Sequence, residues 1–139
     1  MSATPGCVFC AIAAGDIPAS MILRDDDVAA FLDARPLFKG HVLVVPRAHI
    51  PTLADLPQPA IGTLFAAVQR VARAVETGLG ADGTFVAMNN KVSQSVPHLH
   101  VHVVPRKRKD GLRGFFWPRV TYADDAEREA FAAKIRAAG

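Results

Sequence analysis

The sequence predicts an α+β domain in which an antiparallel sheet of about five strands packs with one long central helix, with short helices at the N- and C-terminal ends. Three observations carry that expectation. Short β-branched runs follow one another without the strand-helix-strand alternation that builds a parallel sheet. One long segment places apolar residues at steps of three and four. The 139 residues, half of them hydrophobic, contain no internal repeat, low-complexity tract or linker, so residues 1–139 read as a single domain with a sizeable core.

In chain order, "CVFCAIAAG" reads as a short helix closed by Gly15. "ASMILRDDDVAAFLDARP" gives two apolar segments about Asp25 to Asp27, the profile of a hairpin. "GHVLVVP" is a β-branched run between Gly40 and Pro46 and reads as a buried strand. In "PTLADLPQPAIGTLFAAVQRVARAVETGLG", Ile61, Leu64, Phe65, Val68, Val71, Ala72 and Val75 form one stripe, so the longest helix is expected here, in the core, ending near Gly78 or Gly80. "TFVAMNN" and "HLHVHVV" read as two further strands, the second bracketed by Pro97 and Pro105. "YADDAEREAFAAKIRAAG" opens on an acidic cap region and reads as a C-terminal helix.

Net charge is +3, yet between Pro105 and Arg119 the cations Arg106, Lys107, Arg108, Lys109, Arg113 and Arg119 face only Asp110. That segment is +5 and the remainder −2. Such a local patch suits an anionic ligand better than a coat for nucleic acid, and a solvated basic loop is the plainer alternative. No stretch approaches the roughly 20 apolar residues of a membrane span, and no charged leader precedes an apolar run. A soluble, cytoplasmic protein is expected. The two cysteines, Cys7 and Cys10, are too close for an ordinary structural disulfide and are expected in a compartment that disfavours one. A metal site, a redox pair and two buried thiols stay open, although no βαβ context supports the redox pair.

Three of the five histidines fall in "VPHLHVHVVPR". On a strand, His98, His100 and His102 share one face, with neighbours about 7 Å apart, while Leu99, Val101 and Val103 share the other. The apolar face is expected against the Ile61 to Val75 stripe. The imidazole face can be a metal cage, a catalytic site or a chance product of ordinary strand alternation.

The run "HLHVHVV" resembles the signature of the histidine triad (HIT) family of nucleotide hydrolases and transferases. "CVFCAI", "AFLDARP", "GHVLVVPRAH" and "QSVPHLHVHVVPR" also resemble family segments, in the family's order, so the resemblance covers residues 7 to 106. It implies a HIT-like fold, a homodimer and an AMP-type purine nucleotide as ligand. Because transferase branches carry Gln at the third triad position, His102 points to the hydrolase branches. The implied reaction cleaves the α-phosphate linkage of an adenosine phosphoramidate or a dinucleoside polyphosphate through a covalent nucleotidyl-histidine. His100 is the implied nucleophile, with Nδ1–H held by the main-chain carbonyl of His98, and no cofactor takes part. His102 and Ser95 are implied at the phosphate or leaving group.

By the same resemblance Asp33 accepts from the ribose hydroxyls, Phe31 and Leu32 lie near base and ribose, and Asn89 and Gln94 stand by the phosphate. From the residues alone Asp33 is a turn former and Phe31 and Leu32 are core. The family's glycine-containing loop of the type NNGxxAGQ is here the shorter "NNKVSQ", without the glycine that would let backbone N–H groups approach phosphate. Lys91 could compensate electrostatically. Bacterial members imply a structural zinc held by Cys7, Cys10, His49 and His98, a closed four-ligand site that holds no catalytic water but fixes the His98 backbone and hence the orientation of His100. His41 reads as a buried, hydrogen-bonded histidine behind the triad. The tail "PRKRKDGLRGFFWPR" either docks on its own subunit or brings Trp117-Pro118, with Arg113 or Arg119, to a partner's site. From a different class comes a purine-nucleotide sensor or scaffold without turnover.

Overall fold

The computed structural model describes residues 3–112 and 119–139. Arg113, Phe115, Phe116, Trp117 and Pro118 of the basic aromatic tail lie outside them. Helix α1 (Val8–Ala14) ends at Gly15, whose φ of 88° lets its N–H return to Ala11 and Ile12 carbonyls. Strands β1 (Met21–Arg24) and β2 (Val28–Leu32) form the expected hairpin. Asp25 Oδ1 pins its turn by accepting from the N–H groups of Asp27 and Val28, both at 2.8 Å, and these bonds hold its carboxyl below the usual carboxylate range.

Strand β3 (Val42–Pro46) follows Gly40. Gly40 sits at φ 100°, where a side chain is strained, and a Cβ there would run into Leu79 Cδ1. Helix α2 (Gln58–Leu79) stops at Gly80, followed by β4 (Gly83–Ala87), β5 (Val101–Arg106) and α3 (Asp125–Ala138). The antiparallel sheet runs β1-β2-β3-β5-β4, so β3 is central, β5 lies between it and β4, and β1 and β4 are edges. Helix α3 starts on Asp124, which caps Glu127 N–H, and buries none of its residues.

Each face of the sheet has its own helix. Leu64, Val68, Val71 and Val75 of α2 pack on Val28, Val44, Leu99, Val101 and Val103. On the opposite face Phe9, Ile12 and Ala13 of α1 pack on Ala29, Phe31, Leu43 and Val45. The helical stripe is shorter than its spacing suggests: Ile61, in the first turn of α2, is 42% exposed, whereas Phe65 and Ala72 further along are partly buried against the core.

Two strand boundaries also differ from the sequence expectation. Strand β4 ends at Ala87, short of Asn89 and Asn90. Regular β5 begins only at Val101, since Leu99 N–H goes to Ile50 O at 2.7 Å and His100 bonds back to the carbonyl of His98. It runs on through Pro105, beyond the pairing with β3, which ends at Val103. The alternation of faces survives: Leu99, Val101 and Val103 are wholly buried under α2 while the histidines face the other way.

Candidate functional site

On the α1 face a cleft of about 650 Å3 opens between α1, β2 and the segment leading into β5. It is lined by Phe31, Leu32, Asp33, Ser95, His100 and His102, all picked out in the sequence. Asn89 and Gln94 do not line it. Gln94 Nε2 donates to Pro51 O at 2.6 Å while its Oε1 accepts from Lys91 N–H at 2.8 Å, and Asn89 Nδ2 donates to Ser93 O. Gln94 thus ties the shortened loop to Pro51, Asn90 Oδ1 ties it to Leu53 by accepting that N–H at 2.8 Å, and Asn89 bonds within the loop. Lys91 (φ 69°) and Ser93 (φ 61°) adopt left-handed conformations themselves, a strain of about 1–2 kcal/mol each in place of glycine.

The hydrogen bonds around the histidines assign a tautomer to each ring. His100 Nδ1 lies 2.7 Å from His98 O, an atom that can only accept, so Nδ1 carries the proton and Nε2 is bare. Phe9 stands edge-on to His100, with centroids 5.0 Å apart, and fixes the ring from the α1 side. His41, which is buried as expected, receives Leu37 N–H at Nδ1 (3.1 Å), so its proton is on Nε2. That Nε2–H donates to His102 Nδ1 at 2.9 Å, leaving His102 with a proton on Nε2 for the cleft. Asp33 Oδ2, at 3.8 Å from His41 Nε2, is too far for a hydrogen bond but close enough to act on its charge. Burial, then repulsion from His100 and His41, pushes the His102 pKa down to about 4, so this ring stays neutral near pH 7. Burial lowers the His41 pKa as well, against the pull of Asp33.

A second cluster lies behind the triad. One donor atom each from Cys7, Cys10, His49 and His98 falls within 4.8 Å of the others. His98 Nε2 donates to Pro46 O at 2.7 Å, which leaves Nδ1 bare and facing Cys7 Sγ at 3.4 Å and Cys10 Sγ at 3.5 Å. His49 Nδ1 is 3.4 Å from Cys10 Sγ. A tetrahedral zinc with its ordinary bonds sets sulfur and nitrogen about 3.6 Å apart, so these edges fit that ion. Backbone N–H groups of Cys10 and Thr4 point at the sulfurs of Cys7 and Cys10, the outer bonds that orient thiolate ligands. Burial first of all pushes the Cys10 thiol pKa up, so a cation is what would hold it ionised. A zinc held by these four side chains would have no position left for a reacting water.

Several cleft residues escaped the sequence reading. Val8, Phe9 and Ile12 reach it from α1, and their signal is the apolar face of "CVFCAI"; Ile17 and Pro18 close the same apolar end. Arg35 lines the cleft beside Asp33. Among the described residues no helix is long and apolar enough to cross a membrane.

Fold and site together define a small protein that presents a bare imidazole nitrogen, a neutral imidazole donor and a carboxylate to one cleft. The HIT domain model matches residues 14–109, and the chain belongs to that family. It is 38% identical over 131 residues to "Protein hit" of Bacillus subtilis, covering 93% of this chain and 89% of that one. It is 32% identical over 114 residues to adenosine 5'-monophosphoramidase hnt1 of Schizosaccharomyces pombe (81% and 83% covered). With adenylylsulfatase HINT3 of Arabidopsis thaliana it shares 34% over 108 residues (76% and 55% covered). Among solved structures, a Zn-bound histidine triad family protein from Mycobacterium smegmatis superimposes with a TM-score of 0.73 at 39% identity, over 96% of this chain and 98% of that chain.

Proposed function

We propose that the protein hydrolyses the α-phosphate linkage of a nucleoside 5'-monophosphate derivative through a covalent nucleotidyl-histidine at His100. The observation that carries this reading is the 2.7 Å bond from His100 Nδ1–H to His98 O, which leaves Nε2 with its lone pair at a cleft that also holds Asp33 and His102. Nε2 attacks the α-phosphorus, and the bond to the leaving group breaks with its electron pair departing on that group. Water then attacks the same phosphorus, the N–P bond breaks and His100 returns to its starting state. His102 Nε2–H and the Ser95 hydroxyl donate to oxygens on which charge develops, and Asp33 accepts from the ribose hydroxyls. The apolar end, with Phe9, Phe31, Leu32 and Ile17, takes the purine. The named activities of the phosphoramidase and adenylylsulfatase relatives support this class of reaction.

The Cys7, Cys10, His49 and His98 cluster holds a structural zinc in this reading, a closed centre that supplies rigidity. It ties α1, one wall of the cleft, to His98, whose carbonyl sets the tautomer of His100. The edge strand β4, with Val86 43% exposed, is the surface for a homodimer. The test is AMP release from adenosine 5'-phosphoramidate by wild type and His100→Ala. Loss of about 10³-fold or more in kcat is expected of a removed nucleophile. Equal rates, with AMP bound by both, would leave a nucleotide-binding protein without turnover.

A further inference from the structure

Among the described residues, Arg35 is the one lysine or arginine that lines the cleft. Its backbone N–H donates to Asp33 Oδ1 at 2.9 Å, and Pro36 after it confines it to extended backbone. The guanidinium itself enters no hydrogen bond or ion pair with a described residue. Arginines on or next to the strands are engaged instead: Arg24 on Ile12 O, Arg47 on Asp25 O, and Arg106 on Asp110 and Leu112 O. Arg35 also lines the cleft two residues from Asp33, which reaches toward the histidines. Its neighbour Asp33 approaches His41 Nε2 to 3.8 Å, His41 bonds His102 at 2.9 Å, and the rings of His102 and His100 are 5.0 Å apart.

The imbalance of charge there is specific. A phosphorylated substrate brings negative charge to a cleft whose other formal charge, Asp33, is also negative, and the His102 ring is neutral. A free guanidinium is then the group able to answer that charge, and its planar fork matches the oxygens of phosphate or sulfate.

We propose that Arg35 reads an anionic leaving group, so that the protein favours nucleoside 5'-phosphate derivatives that release a tetrahedral oxyanion over those that release an amine. This rests on the hydrolase reading above. When His100 attacks, the bond from the α-phosphorus to the bridging oxygen breaks and its electron pair leaves with the phosphate or sulfate. Arg35 stabilises that oxyanion without giving up a proton. A departing amine offers the guanidinium nothing and must instead gain a proton.

The test compares kcat/KM for adenosine 5'-phosphosulfate, diadenosine tetraphosphate and adenosine 5'-phosphoramidate in wild type, Arg35→Met and Arg35→Lys, at low salt because Arg35 is exposed. The ratio of anionic to amine leaving group should fall about 10- to 100-fold in Arg35→Met, the worth of a charge-assisted bond, and less in Arg35→Lys. The larger loss, on the sulfate or the polyphosphate, tells which oxyanion is read. An unchanged ratio overturns the proposal, even if all rates drop together. Binding keeps the question separate from turnover: in a His100→Ala background, Arg35→Met should weaken ATP about 10-fold more than AMP. Equal weakening overturns the role of Arg35, whereas absence of turnover in wild type would count against the hydrolase reading alone.

Discussion

Replacing His41 with phenylalanine keeps a ring in its buried position but removes the donor that His102 Nδ1 receives at 2.9 Å. Two losses follow. A neutral hydrogen bond of about 1 kcal/mol biases His102 toward its productive tautomer by about 5-fold, so loss of the bias alone lowers the productive fraction, and kcat with it, by up to that factor. If the ring turns its bare nitrogen to the cleft altogether, a preorganised donor is gone, and the fall reaches about 10²- to 10³-fold. The second consequence is a titration. Burial, which phenylalanine preserves, is the first cause of the low His102 pKa, and repulsion from His100 and then His41 follows, so His41→Phe should raise that pKa from about 4 only part of the way toward the ordinary 6.5, which an NMR titration of the ring protons reads directly. The sign for stability follows. Between 6.5 and about 4 the unfolded chain takes up a proton that folded His102 refuses, so this group's contribution is full above 6.5 and lost as pH falls toward 4. His41→Gln, whose amide can donate in the same direction, should recover part of the rate. A His41→Phe variant with kcat within about 2-fold of wild type and an unmoved His102 titration refutes the positioning role.

Two further outcomes follow from the cluster and the edge strand. Purified protein should contain about one zinc per chain, and Cys7→Ser should lose it and unfold at lower temperature, by at least about 2.7 kcal/mol if zinc stood at 100 times its dissociation constant; zinc-free protein of equal stability speaks against the site. Val86→Lys, on the β4 edge, should convert a dimer to a monomer in sedimentation, and a wild type that sediments as a monomer at micromolar concentration removes the dimer.

Most of the fold was legible because each element announces itself locally. The alternation in "HLHVHVV" separated Leu99, Val101 and Val103 from the imidazoles, and Gly15 and Gly80 closed the helices where left-handed caps are needed. What failed were statements about neighbours. Ile61 fits the stripe by spacing, but spacing does not tell how far toward the helix's first turn the core will reach. The bond from His41 to His102 spans 61 residues and exists because β3 and β5 pair with Leu43 opposite His102. Nothing local in "GHVL" signals it. Asn89 and Gln94 carry suitable chemistry, yet in a short loop their amides are needed to replace backbone bonds. That the Arg35 guanidinium bonds none of the described residues is a fact of three dimensions, invisible to a count of charges.

The two-sided use of residues 98–103 also constrains how such a chain can change over generations. With a side-chain period of two, inserting or deleting a single residue there would drive imidazoles into the layer under α2 and turn Leu99 and Val101 outward. Core packing, the Cys7, Cys10, His49 and His98 cluster and the bare Nε2 of His100 would be lost in one event. Descent with modification in this stretch is therefore restricted to exchange of one side chain for another, and changes of length accumulate where no register is at stake, as between Asn89 and Ser95.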